Sequence, residues 1–374
     1  MEDLTATFDV WRVVRLGGRE FTDAVVTAPH RGPSPPLADA LAAWPGRWYW
    51  ADRTRGHLVL VRPVAPDRRE RWWVHALLFA LTVLCALGAG LALAGEPLPT
   101  GGPLGGAVRF VERLIDGGWR DLLAAGWPFA VPLLGILLVH ELGHYVAARR
   151  YAIDASLPYF LPVPPTLSPI GSLGAFLRLR SPVLDRRQLL DVGAAGPLAG
   201  FVVTLLVLAW GYAGSEPMEP GLEPIRTFVV LAGERIALGD SLLTLLFREV
   251  FRPDAASLQL SLPAFAGWVG AFVTGLNLLP LSQLDGGHVL YALYGRRQAS
   301  AGLVTLVGLL ILAQYSWNWY VWVAFALFVG GGGWAHPSVI DPSRGVGGDR
   351  RPVGWLAIAV FVLTFVPIPF GDGR

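Results

Sequence analysis

Leu133-Leu134-Gly135-Ile136-Leu137-Leu138-Val139-His140-Glu141-Leu142-Gly143-His144 is the stretch that decides how this chain folds. An unbroken apolar run leads straight into three ionisable residues. The apolar segment extends from about Ala124 to Ala148, long enough to cross a hydrocarbon core as a helix. Ionisable groups inside such a segment are costly and mark function by default. Residues four apart share one face of a helix, so His140 and His144 can bind one metal ion. Glu141 follows the first of them. It can take a proton from a metal-acidified water as that water attacks a carbonyl carbon.

Composition agrees with a bilayer environment. The chain has 374 residues, 53% hydrophobic and 16% charged, against about 25% charged in soluble proteins. A net charge of +2 gives no electrostatic footprint for nucleic acid. Every basic side chain is arginine. The single cysteine, Cys85, excludes an intrachain disulfide framework and a cysteine-rich zinc site, and reads as a small hydrophobe. The 15 tryptophans suit a protein that needs interfacial anchors.

Further apolar runs extend from about Trp72 to Gly95, Leu190 to Tyr212, Leu262 to Leu281, Ala299 to Ala313, Trp317 to Gly333 and Val353 to Pro369. The expectation is therefore a mainly α, polytopic membrane helix bundle of about seven spans, the fifth being short. Arginine placement orients it. Arg68, Arg69 and Arg71 precede the first span and put the N-terminus in the cytoplasm. Arg149-Arg150, Arg178, Arg180, Arg186, Arg187, Arg296-Arg297 and Arg350-Arg351 then fall inside as well. Glu96 to Leu123 and Ser215 to Ser261 fall outside.

Residues 1–70 read as a small cytoplasmic soluble module, strand-rich from runs such as Phe8 to Val14 and Leu58 to Val61, with a turn at Gly17-Gly18. No secretory signal opens the sequence. Residues 71–374 form the membrane-embedded part. Within it, Tyr151 to Gln188 is too apolar for a solvated loop. Six prolines, among them Pro182, make it unsuitable for a helix. Gly171 to Arg180 alternates enough for a hairpin or a re-entrant strand. Irregular backbone at membrane depth requires surrounding protein or a wet cavity.

A catalytic zinc usually takes three protein ligands. The third is expected at Asp285, in Asn277-Leu278-Leu279-Pro280-Leu281-Ser282-Gln283-Leu284-Asp285-Gly286-Gly287-His288. The fourth span runs inward and ends where the HExxH segment also lies, so the two meet at similar depth. Pro280 interrupts the helix, and Gly286-Gly287 let the backbone turn near the metal. Gly193-Ala194-Ala195-Gly196-Pro197-Leu198-Ala199-Gly200 is a small-residue surface suited to close packing behind the zinc-bearing helix.

HELGH on a membrane helix, a downstream NLLPxxxLDGGH and GAAGPLAG between them resemble the site-2 protease family of intramembrane zinc metalloproteases, over roughly Pro128 to Pro369. The resemblance implies one zinc per chain, held by His140, His144 and Asp285, with Glu141 as general base. It implies transmembrane protein substrates cut in regulated intramembrane proteolysis, within a multi-pass protein of a prokaryotic cell membrane. Asn277 matches a family asparagine that orients substrate or stabilises an oxyanion; a helix–helix hydrogen bond is the other reading. His288 matches a family histidine and receives no ligand role. Gly171, Ser172, Leu173, Gly174, Ala175 and Phe176 resemble the family's re-entrant segment. There an added strand can hold an unwound substrate, or the hairpin is purely structural. His30, His57, His75 and His336 lie outside these motifs and are expected at surfaces or interfaces. Between Ser215 and Ser261 there is too little chain for an inserted PDZ domain.

Three other readings compete. A prenyl-protein-type metalloprotease would need a glutamate as its downstream ligand, against LDGG. A transporter on broken helices leaves the HExxH spacing unexplained. An inactive binding scaffold would not need Glu141 and both histidines. Oligomeric state is left open.

Overall fold

The computed structural model describes residues 2–371 apart from 17–18, 64–69, 97–101, 152, 181–182, 219–225, 232 and 343. Gly17, Gly18, Arg68, Arg69 and Pro182 therefore lie outside the described residues.

A short helix α1 (Glu2–Thr5) leads into β1 (Phe8–Leu16), β2 (Arg19–Val26), helix α2 (Pro35–Ala42), β3 (Arg47–Asp52) and β4 (His57–Pro63). The strands form an antiparallel sheet in the order β1-β2-β4-β3. Side chains alternate across a strand, and here both faces are covered. Leu58 and Leu60 point to α2 with Phe8, Val26, Leu37 and Leu41. Val59 joins Phe21, Tyr49 and Val61 against Leu184, more than a hundred residues further along the chain. Two covered faces explain why β4 is continuously apolar rather than alternating.

Helix α3 (Trp72–Leu93) follows, then α4 (Gly102–Arg113), and then the long α5 (Trp119–Arg150) that carries the HExxH segment. Next come β5 (Tyr159–Pro162) and β6 (Ser172–Phe176), paired antiparallel, and α6 (Arg186–Ala213). Asp185 caps α6, its side chain accepting from the Gln188 N–H. Beyond α6 lie β7 (Glu216–Met218), β8 (Thr227–Leu231), β9 (Glu234–Ala237), α7 (Leu242–Phe251) and β10 (Ser257–Gln259). These strands pair in the order β7-β10-β8-β9. The chain closes with α8 (Leu262–Asn277), α9 (Asp285–Tyr294), α10 (Gln298–Leu312), α11 (Asn318–Val329) and α12 (Arg351–Thr364).

Among the described residues three helices are long and apolar enough to cross a membrane: α3, α5 with the turn before it, and α6. The other apolar runs coincide with shorter helices, α8 having 16 residues and α11 only 12. Sixteen residues rise about 24 Å, less than a hydrocarbon core of about 30 Å. Helix α8 stops at Asn277 because the residues before Pro280 cannot stay helical against its ring. Every residue of α8 from Pro263 to Phe272 is buried. It is apolar all round because α5, α6 and α12 surround it.

The β5–β6 hairpin is fastened to the start of α3. His75 Nδ1–H donates to the Pro158 carbonyl at 3.1 Å, and its Nε2 lies 2.8 Å from Glu70. Glu70 also accepts from Arg180 at 2.9 Å. The Tyr159 ring sits between His75 and Phe176, with centroids 4.1 and 5.4 Å away. His75 is thus a buried, doubly bonded side chain, not the surface or interfacial residue its sequence position suggested. Flanking aromatics hid that role, because the Pro158 carbonyl and the Tyr159 ring are remote in sequence.

Candidate metal centre

The HExxH segment lies on one face of α5 near its C-terminal end, with His140, Glu141 and His144 all buried. Opposite stands α6, whose small residues let the two backbones touch. A side chain at Gly143 would meet the Ala195 carbonyl oxygen at 2.5 Å, and one at Gly196 would fall 2.1 Å from His144 Nε2. At Gly200 a side chain would press on His140 Cβ at 3.0 Å. The spacing of Gly196 and Gly200 matches that of the two histidines, so one helix turn seats each ring. The small-residue surface is therefore a socket for the imidazoles as well as a packing face.

The orientation of His144 is fixed from behind. Its Nδ1 lies 2.7 Å from the Val192 carbonyl oxygen, which can only accept. The proton is on Nδ1, and the Nε2 lone pair is left for a cation. Val192 gave no signal in the sequence, because the group used is backbone.

Helix α9 begins with Asp285 at this point. The turn ahead of it is tight: a side chain at Gly286 would lie 1.8 Å from the Leu278 carbonyl oxygen. Ser282 adopts a positive φ of 43° in the same turn. Asp285 Oδ2 is 3.3 Å from Nε2 of His140 and 3.3 Å from Nε2 of His144, and the two nitrogens are 3.1 Å apart. A tetrahedral zinc with ligands at about 2.0–2.1 Å holds their atoms about 3.3 Å apart. The donor triangle thus has the edge lengths the ion requires. Two imidazole nitrogens and one carboxylate are also a donor set that zinc accepts. Among the described residues these three form the one such cluster.

Asn277, the last residue of α8, brings its side-chain amide to 3.5 Å from His140 Nε2, at the outer limit of a hydrogen bond. Glu141 lies within electrostatic range of both histidines and Asp285. Gly171 adjoins the middle of α3, and Ser172, Leu173, Gly174, Ala175 and Phe176 form β6, a separate element beside α3 and α5. The outer edge of β6 is unpaired among the described residues, and Leu173 is 73% exposed. His288 Nδ1 is 2.6 Å from Nε2 of His336, joining two histidines that the sequence left unconnected. His336 N–H in turn donates to Gln298 at 2.8 Å.

Known proteins resemble the part of the chain that holds this cluster. The probable zinc metalloprotease EGY2, chloroplastic, of Arabidopsis thaliana is 30% identical over 67% of this chain and 43% of its own length. The probable zinc metalloprotease EGY1, chloroplastic, of the same plant is 31% identical over 65% of the chain and 43% of its own. Its counterpart in Oryza sativa subsp. japonica is 28% identical over 81% and 52%. The chain spans about half or less of the length of these relatives. No solved structure matches it. The family described as Peptidase family M50 matches residues 128–314, which contain the three donors and the glutamate beside them, and the chain belongs to that family.

Proposed function

We propose that this chain is an intramembrane zinc endopeptidase that hydrolyses peptide bonds of transmembrane substrates. The observation that carries the reading is the His140, His144 and Asp285 triangle, with edges of 3.1, 3.3 and 3.3 Å, whose two histidines sit on a helix long enough to span a bilayer. The names of the plant relatives support a zinc metalloprotease; their chloroplast address is their own. One zinc per chain fits the one donor cluster found among the described residues. When bound, zinc acts as a Lewis acid that makes a water nucleophilic near neutral pH.

The remaining work falls to side chains. Glu141, one residue from the first ligand and buried with it, takes the proton of the attacking water and returns it to the leaving amine. Asn277 orients the scissile carbonyl or stabilises its developing negative charge. A transmembrane helix satisfies and shields its own carbonyls, so it must unwind before hydrolysis. The free edge of β6, with Gly171 to Phe176, offers backbone groups to hold an extended segment. The fixing of this hairpin to Glu70, just ahead of α3, and along α3 as far as Ala86 supports a place for it at membrane depth. Arginine placement supports a cytoplasmic N-terminus, with residues 1–70 as a separate module. The shorter apolar helices would complete about seven spans with adjoining non-helical residues. Regulated intramembrane proteolysis is the setting in which such an activity would be used.

Glu141→Gln tests the reading. Metal content should stay at wild-type level, because Glu141 is not a ligand. Cleavage of a transmembrane substrate by the same preparation should fall about a hundred- to ten-thousand-fold. Wild-type cleavage by a zinc-replete variant would refute the base assignment. Loss of zinc would show that the glutamate holds the site together instead.

A further inference from the structure

Helix α7 is built inside out for a protein in water. Two of its three polar side chains, Thr244 and Arg248, face the protein: Thr244 is fully buried and bonded to Asp240 at 3.1 Å. The Arg248 guanidinium, buried too, donates to the carbonyls of Ala255 at 2.7 Å and Ala256 at 3.2 Å. The opposite face carries Leu242, Leu246 and Val250 at successive turns, 55%, 56% and 65% exposed. Glu249 stands at one edge of that arc. The helix is not frayed: Ser241 and Thr244 close a capping box at its start. A stable helix that buries an arginine and exposes leucines matches an apolar surrounding, not an aqueous one.

We propose that this face of α7 lies in the lipid bilayer at the membrane–water boundary, its occupant being acyl chains and headgroups. Its position argues for this. The Phe247 ring contacts Tyr212, in the last turn of α6, with centroids 6.0 Å apart. Just before Tyr212, Trp210 stacks on Trp127 of α5 at 6.1 Å, and both indoles are about half exposed. Such tryptophans at the ends of spans mark the membrane boundary. Helix α6 exposes Val202, Leu206 and Trp210 along its length, so its lipid-facing stripe leads to the level at which α7 is held. Residues 242–250 then form an interfacial helix, not part of a solvated external loop. The inference is independent of catalysis.

The test uses the full chain with Cys85→Ala, which removes its single cysteine. Nitroxide labels are placed through Leu242→Cys, Leu246→Cys or Val250→Cys, with Glu234→Cys on exposed β9 as aqueous control. In phosphatidylcholine vesicles, collision with lipid-soluble oxygen is compared with collision with a water-soluble nickel chelate. The oxygen-to-chelate ratio should be several-fold higher at all three positions than at the control. A ratio equal to the control would overturn the proposal. So would exclusion of both reagents with spin–spin broadening, which would mean that a second copy covers this face.

Discussion

Gly196 has no side chain because His144 occupies the space one would need. Its α-hydrogen faces the imidazole, and any β-carbon there would overlap Nε2, the nitrogen that faces the donor cluster. Gly196→Ala should push His144 from the triangle and lower zinc affinity at least about tenfold, the usual cost of disturbing a ligand's support. Gly135 is the control, since a β-carbon there meets nothing within 4 Å. Gly135→Ala should leave zinc binding unchanged and stabilise α5 by about 0.5–1 kcal/mol. Zinc titration of both variants in one detergent distinguishes a steric cause from general sensitivity of the bundle. Asp285 bears on the ligand set itself. Asp285→Ala, His140→Ala and His144→Ala each remove one of three ligands and should yield protein that retains little metal on dialysis. Full zinc in Asp285→Ala would place the third ligand elsewhere.

Among the elements, the N-terminal sheet has its own pH dependence. His57 of β4 hydrogen-bonds to Asp23 of β2, and that bond holds the imidazole above the usual histidine range. Burial raises the Asp23 carboxyl, but bonds to His57 and to Arg12, 2.9 Å away, outweigh it and hold the group below the usual carboxylate range. The stability from His57 is complete below about pH 6.5 and is lost as pH rises through its higher folded value. The contribution of Asp23 is complete above about pH 4 and is lost as pH falls through its lower folded value. The sheet should therefore be tightest between these limits. Hydrogen exchange of β2 and β4 amides, corrected for intrinsic rates, should speed up from pH 6 to pH 8. His57→Asn should abolish that dependence. Persistence of the full dependence in His57→Asn would assign it to another group.

For the whole molecule, contacts bring several helix ends and the N-terminal sheet to one end of the structure. The sheet's Phe21 and Val59 pack with Leu184, just ahead of α6. Glu70, just ahead of α3, bonds to Arg180. Tyr151, just past α5, bonds to Asp191 of α6, so the N-terminal sheet, the start of α3, the Arg149-Arg150 end of α5 and the start of α6 lie together, with the HExxH turn of α5 near that end. Reporter fusions after Arg71 and after Arg150 should give the same reading, and one between Glu96 and Leu123 the opposite. The arginine pattern further predicts that the shared side is cytoplasmic. Opposite readings after Arg71 and Arg150 would contradict the packing, whereas matching external readings would overturn only the orientation.

The sequence alone determined the features that depend on helix periodicity. His140 and His144 share a face, and Glu141 is beside the first of them, wherever α5 is placed. The apolar length of α3, α5 and α6 was equally local. Asp285 could be named as a third ligand, because the spans bring the ends of two helices to one depth, but only folding set its distance of 3.3 Å to both imidazoles. The Val192 carbonyl behind His144, the fit of Gly196 to its ring and the His288–His336 pair join groups remote in the chain, so no local pattern encodes them. The β7-β10-β8-β9 sheet also escaped reading, because strands of three to five residues contain too few alternations to show a period. Apolar runs overstate the shorter helices for a related reason. Hydrophobicity reports where a segment partitions, whereas proline and tertiary packing decide where its backbone stops being helical.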